Sequence, residues 1–167
     1  RPLNDAIMTG RVRGAAGVVG CNNARTPHDA THNYVVRKFI ENDVLVVQTG
    51  CSAISVAKLG LLGPEALDHA GPGLREVCEA IGIPPVLHLG SCVDNTRILT
   101  VLSQMATEGG LGEDIADLPG VGFAPEWMSE KALSIGTYFV ASGVYTIFGT
   151  KNPVAASEEV QRLIGEG

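Results

Sequence analysis

An α/β fold is predicted, built on a doubly wound, mainly parallel sheet of about five strands with helices on both faces. Two observations carry this expectation. Short β-branched runs alternate along the chain with longer helical patterns, which is the signature of parallel strands joined by helical crossovers. The runs are also continuously apolar rather than alternating in polarity, as strands covered on both faces must be.

The strand candidates are AGVVG (16–20), DVLVVQT (43–49), PVLHLG (85–90), GVGFA (120–124) and VYTIFG (144–149). Helical spacing recurs over 29–41, 51–60, 64–80, 94–108 and 126–141, with a short run over 156–164. Pro64 suits a first helical turn, Asp94 and Ser129 are capping residue types, and Gly60, Gly82, Gly109 and Gly143 fall where helices should stop. This order is Rossmann-like. No internal repeat, low-complexity tract or charged linker divides the 167 residues, so a single domain over 1–167 is expected, at a length that supports one core.

Charge and hydropathy narrow the function. With 12 basic against 18 acidic residues and a formal charge of -6, no basic patch is available to track a phosphate backbone, and nucleic acid is not an expected partner. Hydrophobic residues make up 45% and the mean hydropathy is +0.19, but they come in short blocks, so no transmembrane segment is expected. The opening RPLNDAIMTG has neither an apolar signal core nor a cleavage site, and the simplest reading is an excised fragment. Four cysteines in a chain of this size do not resemble a secreted disulfide scaffold. Reduced cytoplasmic thiols or metal ligands are expected instead.

Cys21, Cys51 and Cys92 share one address, ending VVGC, VVQTGC and VLHLGSC. Each follows a predicted strand and precedes a helix, so in a doubly wound sheet all lie on the rim where ligands gather. Each follows Gly directly or with one Ser between, which lets the chain turn sharply and brings the next amides near a bound group. Helix N-termini favour anions, the thiolate metal-binding form included, and their N–H groups can hydrogen-bond cluster sulfides. A single free cysteine is by default a small buried hydrophobe; three at equivalent strand ends argue for ligation. Cys78, inside GPGLREVCEAIG beside Leu74, Val77 and Ile81, reads as core packing. The separations of 30 and 41 residues (51 minus 21, 92 minus 51) are far wider than the close pairs of zinc ribbons and ferredoxins, and fit a cluster assembled at a crevice. Three sulfurs are too few for a closed cluster of four metals, so further ligands must come from elsewhere.

GAAGVVGCNN, DVLVVQTGCSA, PPVLHLGSCVDNTRI and APEWMSEKALSIG, in this order, together resemble the last domain of the anaerobic nickel-iron carbon monoxide dehydrogenases, over about the whole chain. That resemblance implies a nickel-containing iron-sulfur cluster of the Ni-4Fe-4S type as cofactor, with Cys92 binding nickel and Cys21 and Cys51 each binding an iron. It implies that a histidine and two cysteines complete the site from an upstream region. The same region would hold the iron-sulfur clusters that carry electrons and the histidines that relay protons. It further implies CO, CO2 and water as substrates, a homodimeric parent, and ferredoxin or acetyl-CoA synthase as partner. The stretch between Cys51 and Cys92 is shorter than in bacterial members of that family, which shortens a loop.

Lys131 matches a lysine that in the family hydrogen-bonds the bound carboxylate, and an ammonium suits that duty because it stabilises developing negative charge. The alternative is a solvated helix lysine paired with Glu126 or Glu130. Ile135, one helical turn on, would shield the open nickel site from water.

The four histidines stand in different contexts. His28 and His32 stand four apart, a spacing that permits joint metal binding on one helix face, though surface histidines are commonly just solvated. His88 reads as a hydrogen-bonded core residue within its strand, and His69 as surface. Asp94, Asn95 and Arg97 are expected to hold the Cys92 loop, and Asn22 and Asn23 to satisfy the turn after Cys21.

Rival readings remain distinct. A hybrid-cluster protein or hydroxylamine reductase would share the fold but differ in the GCNN, TGCSA and GSCVDN blocks. A dinucleotide-binding module would need GxGxxG where GVVGCNN stands. A metal-free interaction domain would leave the thiols without metal, and without upstream ligands the isolated chain is expected to be inactive.

Overall fold

The computed structural model describes residues 2–126, 130–149 and 157–165, the side chains of 130–133 and 164–165 excepted. The elements run α1 (Pro2–Met8), β1 (Gly14–Val18), α2 (Ala30–Glu41), β2 (Val44–Gln48), α3 (Gly50–Ala57), α4 (Pro72–Ile81), β3 (Val86–His88), α5 (Asn95–Thr107), β4 (Gly120–Ala124), α6 (Glu130–Ala141), β5 (Tyr145–Phe148) and α7 (Glu158–Gly165). Short 3₁₀ turns cover Pro64–His69, Cys92–Asp94 and Ile115–Asp117.

The strands form one sheet in the order β3-β2-β1-β4-β5, and each pairing among the described residues is parallel. The chain starts in the middle, builds outward through β2 and β3, then returns to the other side of β1. The switch point therefore lies between β1 and β4, where open α/β sheets bind their ligands.

Alternation along β1 explains the two-sided core. Ala16 and Val18 face a cluster with Val36 and Ile40 of α2, Val56 of α3 and Leu74 of α4. Ala15 and Val19 face the opposite cluster, with Ile98 and Leu102 of α5 and Phe139 of α6. Both faces of the strand are thus removed from water, the condition that makes its sequence read as a continuous apolar run.

All five expected strands form, the fourth with the expected bounds 120–124 and the others with shifted ones. The first begins at Gly14 and ends at Val18 rather than covering 16–20, because Gly20 takes φ 111 and turns the chain out of the sheet. The expected helix over 64–80 is divided into a 3₁₀ turn and α4. Pro72 disfavours helical geometry in the residue before it, and Gly71 is extended at ψ 160. The helix expected over 126–141 starts at Glu130, and the one over 51–60 ends at Ala57. Gly82 ends α4 as expected, at φ 73, whereas the left-handed stop after α5 is Gly110 rather than Gly109. Ser129 lies outside the described residues. No expectation covered α1, which packs Ala6 into the core and sends the Asn4 amide to the Met105 carbonyl at 2.7 Å.

Candidate metal centre

Register brings the strand ends level. Val18 of β1 aligns with Gln48 of β2 and Phe123 of β4, and Gln48 aligns with His88 of β3. Cys21 and Cys51 each come three residues beyond this row (21 minus 18, 51 minus 48), and Cys92 four beyond it (92 minus 88). The three cysteines therefore follow the level ends of three adjacent strands, on one rim of the sheet.

Direct bonds join their loops. The Gly50 N–H donates to the Gly90 carbonyl at 3.0 Å, and Gly50 lies so close to Cys92 that a Cβ there would sit 3.2 Å from the Cys92 Cβ. The Thr49 hydroxyl donates to Asn95 Oδ1, and Asn95 Nδ2 donates to the Cys92 carbonyl. Next to Cys51, the buried Ser52 hydroxyl lies 2.7 Å from the Val18 carbonyl, which ties the start of α3 to the end of β1.

The residues expected to brace the Cys92 loop do so. Asp94 occupies the N-cap position of α5 without capping it, and instead accepts from the Ser91 N–H at 2.8 Å, with Arg97 Nε 3.2 Å from its other oxygen. The Ser91 amide, aided by Arg97, holds the Asp94 carboxyl below the usual range. After Cys21, Asn23 Oδ1 accepts from the Arg25 N–H at 2.9 Å. Asn22 donates to Asp29 at 2.7 Å and to Glu126 at 3.2 Å.

None of the four cysteines is in a disulfide, and Cys51 and Cys92 are exposed while Cys21 is half-buried. Cys78 is fully buried, as expected, and burial pushes its thiol up to about 11. Among the described residues no three His, Cys, Asp or Glu side chains gather closely enough to hold one metal ion. Three thiols on three loops of one rim instead suit a group of several metal atoms, each sulfur meeting a different one.

Lys131 is the second residue of α6, and its side chain lies outside the described residues. Ile135 is half-buried against the cluster formed by α5 and α6. Glu126, a candidate partner for Lys131, has no exposed surface and turns to the Cys21 loop.

The histidines depart from expectation. His32 is fully buried, while His28 precedes α2, is exposed and faces Asp29 at 3.4 Å. The two do not share a helix face. His32 Nε2 lies 3.2 Å from the Cys21 carbonyl; a carbonyl only accepts, so this nitrogen carries the proton. Burial lowers the His32 pKa, against the opposing pull of that bond. His88 is exposed at the rim rather than in the core, because β3 is an edge strand, and its Nδ1 accepts from the Gly90 N–H at 3.1 Å. His69 is exposed, as expected.

Sequence reasoning missed a buried polar network beneath the Cys21 loop. Glu126 accepts from the Thr31 N–H at 2.7 Å and the His32 N–H at 3.4 Å, besides Asn22. Asp29 accepts from Lys58 Nζ at 2.6 Å. Burial would raise both carboxyls, but hydrogen bonds and nearby positive charge hold each below its ordinary value. The signal in the sequence was a glutamate set in the apolar context FAPEW, directly after a strand.

Comparison with known proteins gives a consistent result. Over 166 residues the chain is 57% identical to carbon monoxide dehydrogenase 1 of Methanosarcina mazei, covering 99% of this chain and 26% of that protein. It is 42% identical to the carbon monoxide dehydrogenase/acetyl-CoA synthase subunit beta of Moorella thermoacetica, over 98% of this chain and 25% of that one. A Ni-free crystal structure of carbon monoxide dehydrogenase from Thermococcus sp. AM4 superposes with a TM-score of 0.90 at 52% identity, over 98% of this chain and 26% of that one. The chain thus spans about a quarter of the length of these relatives. The Prismane/CO dehydrogenase family model matches residues 3–167, and the chain belongs to that family.

Proposed function

We propose that this chain is the C-terminal cluster-binding domain, over 1–167, of an anaerobic nickel-iron carbon monoxide dehydrogenase. The parent catalyses CO + H2O to CO2 + 2 H⁺ + 2 e⁻, reversibly. The observation that carries this reading is the placement of Cys21, Cys51 and Cys92 beyond three level, adjacent strand ends. A bound nickel-iron-sulfur cluster supplies Lewis-acidic metal and a sink for the two electrons. The chain's own residues do the rest. Cys92 is assigned to nickel, and Cys21 and Cys51 to iron, with Gly50 and Asn95 holding the Cys51 and Cys92 loops together. Lys131 donates to the carboxylate that develops as CO gains oxygen, and Ile135 excludes water beside it.

The remaining ligands and the electron-transfer clusters belong to upstream parts of the parent, which is a homodimer. Ferredoxin or acetyl-CoA synthase takes the products onward, and reduced thiols suit a cytoplasmic setting. No helix among the described residues is long and apolar enough to cross a membrane.

Metal analysis and CO-dependent dye reduction, on this chain and on the full-length protein produced without oxygen, test the proposal. Nickel, iron and turnover in the full-length protein, with no turnover in the chain alone, are expected. A full-length protein that binds no nickel, or a chain active by itself, would overturn it.

A further inference from the structure

We propose that Glu126 is a positioning residue that holds the Cys21 loop from the far side of the switch point, an inference that rests on the cluster-binding reading above. Glu126 lies three residues beyond Phe123 (126 minus 123), whose register partner is Val18 of β1. Its level on the rim is therefore that of Cys21, on the neighbouring strand.

The bonds define its task. Helix α2 begins at Ala30, and its natural capping residue, Asp29, makes no side-chain cap, sits at φ 63 and binds Asn22 and Lys58 instead. Glu126 supplies the cap from just beyond β4, accepting from the second and third residues of α2, Thr31 and His32. Its other oxygen accepts from Asn22, the residue after Cys21. The partial positive charge of the helix start and these N–H donors stabilise a carboxylate that water cannot reach.

Glu126 thus touches the Cys21 loop by two routes. One runs through Asn22. The other runs through His32, whose backbone Glu126 holds and whose ring donates to the Cys21 carbonyl. A fully buried carboxylate is a costly way to cap a helix; here it also ties the Cys21 loop to the end of β4 across the switch point.

The test uses the full-length protein with its cluster. Glu126→Gln keeps the size, but its amide presents a donor to Asn22 or to the α2 N–H groups. Nickel and iron content should stay near wild type, the electron paramagnetic signature of the cluster should shift, and kcat should fall about 10- to 100-fold. Lys131→Ala should lower kcat without moving that signature. Asn22→Ala leaves the α2 cap intact and should shift the signature in the same direction, and it decides the matter if Glu126→Gln does not fold. An unchanged signature with kcat within twofold in Asn22→Ala, or in a folded Glu126→Gln, overturns the proposal. Wild-type protein without nickel would instead overturn the functional reading itself.

Discussion

The Asn22 side-chain amide stands 3.2 Å from the Glu126 carboxylate and 2.7 Å from that of Asp29, so one amide bridges two carboxylates beneath the Cys21 loop. Burial penalises the charge on each, but the hydrogen bonds and nearby positive charge outweigh it, and both are held below their ordinary values.

Acid should therefore unlock this region. A carboxyl whose folded pKa is depressed contributes stability above its unfolded value, and that contribution is lost as pH falls through the folded value. Asp29 starts from 3.8 and Glu126 from 4.5, so melting temperature should drop between about pH 5 and pH 3. Asp29→Asn should be less stable near neutrality and show a shallower fall, the two curves converging in acid. Parallel curves over the whole range would show that Asp29 carries no such linkage.

Thiol chemistry separates the cysteines. Cys51 and Cys92 are exposed, Cys21 is half-buried and Cys78 is buried with its thiol pushed up to about 11. At about pH 8 roughly one part in a thousand of Cys78 is thiolate. Alkylation of the folded, metal-free chain followed by peptide mass mapping should label Cys51 and Cys92 first, Cys21 next and Cys78 only on unfolding. Early labelling of Cys78 would place it outside the core.

Gly50 should resist substitution. It takes φ 57, and an added Cβ would approach the Cys92 Cβ to 3.2 Å. Left-handed geometry costs a residue with a Cβ about 1–2 kcal/mol, and the contact moves Cys92 as well. Gly50→Ala should lower the stability of the chain by about that amount in urea titration, and lower nickel content in the full-length protein. Full stability with full nickel would show that the loop tolerates the crowding.

Much of this was legible in the residues. Continuous apolar runs mark strands buried on both faces, and once β1, β2 and β3 are parallel neighbours, VVGC, VVQTGC and VLHLGSC must open on one rim. Inward-turned polar groups were not legible. Glu126 looks like a surface charge until the fold supplies the start of α2 as its partner. His88 failed in the opposite sense, because a strand pattern does not say which strand ends as an edge. The break at Gly71–Pro72 was legible but overridden by helical spacing on either side.

Lys131 offers the sharpest chemical test of the functional reading. If it donates to the carboxylate formed from CO, its removal withdraws one positive donor from the developing negative charge. A single donor of that kind contributes roughly 100- to 1,000-fold in kcat. Lys131→Ala in the full-length protein should lose CO oxidation on that scale while retaining nickel and iron, since no metal ligand is removed. Lys131→Arg keeps the charge but not the compact ammonium geometry, and should recover only part of the rate. Turnover in Lys131→Ala within twofold of wild type would return this lysine to the solvated helix surface, and the carboxylate would then need another donor from the rim.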